Sequence, residues 1–248
     1  MRLLAFDTST DTLSVAVGRT VDGASRVWRH SAAGGALAST TLLPTILRLM
    51  AQAGLGFGDL DAIAFGRGPG AFTGLRTACS VAQGLGFGAQ STARSGVVQV
   101  LPIDSLLAVA EEARVQFDPS GNAVRVLAML DARMDEIYAG SYTFDCKCWT
   151  QLRAYRLDKP EGLALEPGWT EPDCIVAGNV FAAYGERLPM GPGVPRVHAL
   201  PTAVAMLRLA PALLASGHGV LPEQALPTYI RDKVAQTSSE RAAAKALV

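Results

Sequence analysis

The sequence predicts an α/β protein made of two similar halves. Three observations lead there. Apolar runs and period-2 alternations of strand length recur along the chain, helical periodicity is interleaved with them, and both halves open on hairpin-connected strands before their helices begin. With 248 residues, 49% of them hydrophobic, there is apolar material for one large domain or two small ones. Residues 1–103 are assigned to a first subdomain, which the helix at 201–216 is placed to join. Residues 104–231 form a second, and 232–248 a polar, frayed tail. No close repeat is visible in the sequence itself.

Taken in order, residues 3–6 are an apolar strand that runs into the polar turn Asp7-Thr8-Ser9-Thr10. Leu13, Val15 and Val17 alternate as in a half-buried strand, Val21-Asp22-Gly23 reads as a turn, and Arg26-Val27-Trp28 as a third strand, so the opening is a β-meander. Ser39-Thr40-Thr41 resembles a helix cap before Leu42, Leu43, Ile46, Leu47 and Met50 at helical spacing; Pro44 fits the first turn if Thr40 caps, and Gly54 ends the helix. Residues 62–65 are a buried strand entering the glycine loop 66–70. From 71 to 88 a helix carries two apolar stripes, Phe72-Leu75-Cys79-Ala82-Gly86 and Gly74-Ala78-Val81-Leu85, with a narrow polar seam of Arg76, Ser80 and Gln83. Such a helix buries either wholly in its own domain or partly against a second helix, and the pattern alone leaves both open. A strand at 95–102, a helix at 106–115, a hairpin of 124–130 with 136–142, a strand at 174–177 and a helix at 201–215 follow; 145–173 show poor periodicity.

Several classes of function are excluded. Lys plus Arg and Asp plus Glu both number 22, and a neutral chain lacks the basic face with which an autonomous nucleic-acid binder displaces counterions. Charged residues are only 18%, which points weakly to a surface buried on another chain. Asp7 interrupts the N-terminus too early for a signal peptide, and 203–215, broken by Arg208 and Pro211, is too short to span a bilayer, so a soluble, cytoplasmic protein is expected. Cys79, Cys146, Cys148 and Cys174 form no C-x-x-C pair, and His30, His198 and His218 stand far apart, so no metal site and no cofactor are expected. There is no G-x-S-x-G nucleophile elbow.

Two features leave chemistry open. Asp7 and Thr8, together with Gly68 and Gly70, are where a phosphate would sit in a nucleotide site; as ordinary turn formers the same residues only shape the backbone. The loop is neither a P-loop, which needs Gly-Lys-Ser/Thr, nor a dinucleotide fingerprint. Asp131, Arg133, Asp135 and Glu136 offer carboxylates for acid–base work or a solvated hairpin turn.

The segments LLAFDTST (3–10), AFGRGPGAFTGLRTACSVAQGLGFG (64–88), LDARMDEIYAG (130–140) and PTYIRDKVA (227–235) run in this order and together resemble the TsaB family. That family is the dimerisation subunit of the bacterial tRNA threonylcarbamoyladenosine machinery, and the resemblance runs from Met1 to about Ala235. It implies an actin/Hsp70-like (ASKHA, ribonuclease-H-like) fold of two α/β subdomains. It also implies a non-catalytic role in attaching threonylcarbamoyl to N6 of adenosine 37 in tRNAs reading ANN codons. The implied partners are the catalytic paralogue TsaD in a heterodimer, the ATPase TsaE in the assembled complex, and a second copy when alone, with tRNA met only through the complex and no membrane. The helices implied to dock TsaD carry Leu42, Leu43, Ile46, Met50, Phe72, Leu75, Arg76, Ala78, Cys79, Ala82 and Gln83. Many relatives have His in an E-H-[ST] stretch where this chain has Ala38, and the HxxxH of TsaD is absent. The alternative is a stand-alone ASKHA phosphotransferase or ATPase using Asp7, Thr8 and the 66–70 loop.

Overall fold

The computed structural model describes residues 1–89, 98–145, 147–163, 169, 172–191 and 193–231. Cys146 and the tail 232–248 lie outside the described residues, as do 95–97 of the strand expected at 95–102. Strands β1 (Arg2–Asp7), β2 (Thr12–Val21) and β3 (Ala24–Ala33) form an antiparallel meander. Asp22 and Gly23 join β2 to β3 with φ of 50° and 80°, the left-handed pair that a two-residue hairpin turn requires. Helix α1 (Ala38–Ala53), strand β4 (Ala62–Gly68), helix α2 (Phe72–Gly88) and strand β5 (Gln99–Asp104) follow, β4 and β5 running parallel beside β1 in the order β3-β2-β1-β4-β5.

After α3 (Ser105–Phe117) the pattern is repeated. Strands β6 (Val124–Arg133), β7 (Glu136–Asp145) and β8 (Cys148–Asp158) make a second meander, and β9 (Cys174–Gly178), α4 (Phe181–Tyr184) and β10 (Arg196–His198) extend it. Its order, β8-β7-β6-β9-β10, is the first sheet's order strand for strand. Two such sheets with intervening helices are the actin/Hsp70-like arrangement. Helix α5 (Ala203–Ala215), capped by the Thr202 hydroxyl, which accepts from the Ala205 N–H at 3.0 Å, returns to pack on β1 and β2.

The alternation of each strand decides which core it feeds. Leu4 and Phe6 of β1 and Ile63 and Phe65 of β4 face α1 and α2, whereas Leu3, Ala5, Ala62 and Ala64 face α3 and α5 between the sheets. Alanines on that inner face let the helices lie close to the backbone of the sheet. Val126, Ala128 and Leu130 of β6 close the inner core from the other side, and Leu127 and Met129 face a third cluster under irregular chain, including Trp169 and Tyr184. The inner helices also share a buried carboxylate. Glu111, 3% exposed, accepts from Arg114 Nε and Nη2 at 3.0 Å, Arg208 Nε at 2.8 Å and Trp149 Nε1 at 3.0 Å, tying α3 to α5 and β8.

Three expectations are corrected. Helix α1 starts at Ala38 after a 3-10 turn, and the Thr40 and Thr41 hydroxyls donate back to the Leu37 carbonyl instead of capping amides. Pro44 therefore stands inside the helix rather than in its first turn. Strand β8 occupies chain read as irregular; it is an edge strand exposed over most of its length, so no buried face imposes an alternation. The short elements α4 and β10 lacked enough residues to set a period.

Met206 of α5 is fully buried between the sheets, whereas Leu47 of α1 is 50% exposed. Met206→Ala should lower stability to urea unfolding by about 2–5 kcal/mol, with Leu47→Ala within about 0.5 kcal/mol of the parent. Equal losses would contradict the core assignment.

Candidate functional site

The turn after β1 and the glycine loop after β4 meet backbone to backbone. Thr8 Oγ1 donates to the Gly74 carbonyl at 2.7 Å and the Ala71 N–H to the Ser9 carbonyl at 2.7 Å. A β-carbon on Gly74 would lie 1.8 Å from the Thr8 carbonyl oxygen, one on Gly70 2.5 Å from that of Ser9, and one on Gly66 1.8 Å from Asp7 Oδ2. These glycines are required by space: a side chain at Gly70 or Gly74 would push the start of α2 away from the turn after β1, and one at Gly66 would displace the Asp7 carboxylate. The Gly68–Pro69 peptide bond is cis.

Asp7 is fully buried beneath this contact. Its Oδ1 accepts from the Ser9 N–H and hydroxyl, both at 2.8 Å, and Oδ2 from Ser105 Oγ at 3.4 Å. Burial pushes its carboxyl up to about 6, against the opposing effect of those hydrogen bonds. Of the four residues singled out for a phosphate, Asp7, Thr8 and Gly68 border neither of the two small cavities beside this contact. Gly70 alone borders both, of about 90 and 230 Å3. Both are smaller than small-molecule sites of about 300–1,000 Å3.

The larger of the two is bordered by a strap, residues 225–231. Arg133 pairs across the cleft with Asp11, and Arg231 with Glu136; Arg231 Nη2 also donates to the Arg133 carbonyl at 3.2 Å. The Thr228 N–H donates to the Arg67 carbonyl at 2.7 Å. Arg133, Met134 and Asp135 all adopt positive φ (61°, 56° and 62°), which turns the β6–β7 hairpin sharply toward the strap. Asp135 is held by Arg187 at 2.6 and 2.7 Å, so this hairpin is braced by ion pairs.

The strap also runs along α2. Cys79 Sγ and Gln83 Nε2 both donate to the Ala225 carbonyl, at 3.2 and 2.9 Å. Arg76 Nε donates to Tyr229 Oη at 3.3 Å while its guanidinium lies 3.7 Å from the Phe72 ring centre, and Phe72 stacks on Tyr229 at 4.9 Å. Leu42, Ile46, Met50, Leu75, Ala78, Cys79 and Ala82, read from the sequence as docking residues, are buried in the chain's own core and position the helices. Of that set, Leu43 and Arg76 are exposed and Phe72 and Gln83 are half-buried. Leu47, Phe87 and Leu226, which sequence reasoning missed, add exposed apolar surface on α1, α2 and the strap. For Leu47 the signal was present, four residues after Leu43 on the same helical face.

Among the described residues no three His, Cys, Asp or Glu gather to hold a metal ion, and no helix is long and apolar enough to cross a membrane. The site thus combines a buried Asp7–Thr8 turn, a strap along α2 and exposed apolar residues on α1 and α2. A family model described as TsaD, tRNA N6-adenosine threonylcarbamoyltransferase, matches residues 35–239. The chain is 31% identical to the tRNA threonylcarbamoyladenosine biosynthesis protein TsaB of Escherichia coli, over 95% of this chain and 96% of that protein. To the protein of the same name in Haemophilus influenzae it is 32% identical, over 94% and 95%. A solved structure titled YeaZ from Pseudomonas aeruginosa superposes with a TM-score of 0.75 at 37% identity, covering 92% of this chain and 99% of that one. The chain belongs to the TsaB (YeaZ-type) family.

Two outcomes follow from the buried turn. Gly74→Ala should destabilise by about 1–3 kcal/mol or more, while Gly84→Ala in the same helix, with nothing within 4 Å, should gain about 0.4–1 kcal/mol. For Asp7, the folded chain binds a proton more tightly than the unfolded one. Its contribution is complete below pH 3.8 and is lost as pH rises through about 6, a span worth about 3 kcal/mol. Urea unfolding of Asp7→Asn should decline less between pH 4 and 7 than that of the parent; parallel curves would refute the assignment.

Proposed function

We propose that the chain is a non-catalytic subunit of tRNA threonylcarbamoyladenosine biosynthesis that pairs with a TsaD-type transferase and holds it in a competent state. The observation that carries this reading is the turn after β1: the residues where this fold would hold a phosphate are buried against each other. The family membership supports it, since the relatives' names place them in the same modification pathway. In this reading TsaE joins the assembled complex, tRNA is met only there, and the free chain pairs with itself.

The docking face is the outward surface of α1 and α2, with Leu43, Leu47 and Phe87 as its apolar points and Arg76 held beside Phe72. A long apolar side chain replaced by a carboxylate at such a contact leaves a charge without water, at a cost of several kcal/mol. At an exposed position in the free chain it costs little.

The test is threonylcarbamoyladenosine formation on an unmodified ANN-decoding tRNA with cognate TsaD, TsaE and the adenylate-forming enzyme. Product should require this chain, and Asp7→Asn should support it as well as the parent does. Leu43→Asp with Leu47→Asp should abolish both product and the heterodimer seen by light scattering, with the monomer still folded by circular dichroism. Product without the chain overturns the proposal. Metal-dependent ATP turnover by the purified chain that is lost in Asp7→Asn would establish the phosphotransferase alternative instead.

A further inference from the structure

A groove of about 970 Å3 opens between edge strands β5 and β8, with α3 and α5 beneath it and Gln224 and Leu226, at the start of the strap, on its rim. This volume is at the upper end of small-molecule sites, about 300–1,000 Å3. Its walls are of two kinds. Leu107 of α3 and Leu213 of α5 join the rings of Phe144 and Trp149, which contact each other at 5.2 Å between centres, to give an apolar and largely aromatic lining.

The polar part is unbalanced toward donors. The two oxygens of Glu111 already accept four N–H groups, and Asp104 accepts Arg67 Nε at 2.5 Å. Arg114 and Arg208 use only Nε and Nη2 on Glu111 and Glu112, so their Nη1 groups make no hydrogen bond among the described residues. Lys147 adds an exposed cation. An occupant therefore has to bring acceptors. Nor is the groove shaped to accept a peptide strand along β5: Val100 exchanges both its backbone bonds with Val220, at 3.0 and 2.8 Å, and Pro102 has no N–H to give.

We propose that this groove is a binding site for a small organic anion with a flat apolar body, of the aromatic carboxylate class. The ring lies against Trp149 and Leu213, beside Phe144, whose ring already carries the Arg114 guanidinium at 4.3 Å. The carboxylate takes the Nη1 groups of Arg114 and Arg208 that bond nothing among the described residues, charge-assisted bonds in a partly dry setting. None of Leu43, Leu47 and Phe87 lines this groove, so the binding test does not depend on the docking proposal.

Isothermal titration of the full chain with naphthoate tests it, with naphthylmethylammonium as a cation of similar shape. Naphthoate should bind about tenfold or more tightly than the cation. Ala212 is exposed on α5 and its side chain borders the groove. Ala212→Glu should weaken naphthoate about tenfold, and Ala212→Trp should abolish binding by filling the space, each with an unchanged melting temperature. Absence of heat at millimolar naphthoate, equal binding of the two probes, or indifference to both Ala212 variants overturns the proposal. The probe comparison needs no variant, so a misfolded mutant leaves the test intact.

Discussion

The close approach of two backbones, residues 7–9 and 66–74, is the constraint on which the rest of the molecule rests. Gly70 and Gly74 bring the start of α2 within hydrogen-bonding reach of the turn that ends β1, and Gly66 leaves the space that the Asp7 carboxylate occupies. That contact sets the angle at which α2 lies on the first sheet, and α2 in turn gives α1 its neighbour and the strap its track. It also buries Asp7. A carboxylate at the end of the first strand, placed where this fold would meet a phosphate, is sealed behind Ser9 and Ser105 with its proton held more tightly than usual.

The strap adds to that contact. Arg231 and Arg133 join the two subdomains across the mouth of the cleft, and Tyr229 packs on Phe72 at the start of α2. Surface ion pairs contribute little singly, commonly 0–1 kcal/mol, so the strap is held as a network: backbone bonds at Ala225 and Thr228, ring stacking at Tyr229, then the arginines. In the proposed assembly this matters because the strap covers the polar seam of α2 and leaves its outward apolar positions free. The chain offers a partner a surface already fixed in shape, which reduces the ordering cost of association.

Much of this was legible in the residues. The β-meander, the strand before the glycine loop, both long helices of the first half and the hairpin at 124–142 follow from alternation and periodicity, because each has one face against a core. Strand β8 did not, since an exposed edge strand has no buried side to enforce a pattern. The docking residues divide for a related reason. Helical spacing finds the apolar stripe of α1 and α2, but spacing alone cannot say which side meets the chain's own sheet, so Ala78 and Ile46 were read with Leu43 although only Leu43 looks outward. The strap was invisible to periodicity: it is an extended segment held by backbone groups and by partners 95 and 153 positions away in sequence.

The duplicated topology also bears on why the proposed docking face lies on one half. Both sheets have the same strand order, yet they are covered differently. The first sheet's outer face carries two regular helices of 16 and 17 residues, stiff enough to hold exposed leucines at fixed spacing. The second sheet's outer face lies under Leu163, Trp169, Tyr184 and Met190, drawn from irregular chain and one helical turn. Such a cover fills a core well but presents no repeating surface for a partner helix to read. From two copies of one architecture the chain has built two differently covered halves, and in the proposed assembly the first, with its exposed helical leucines, is the one that meets the partner, while Glu111 ties α3 to α5 and β8 between them.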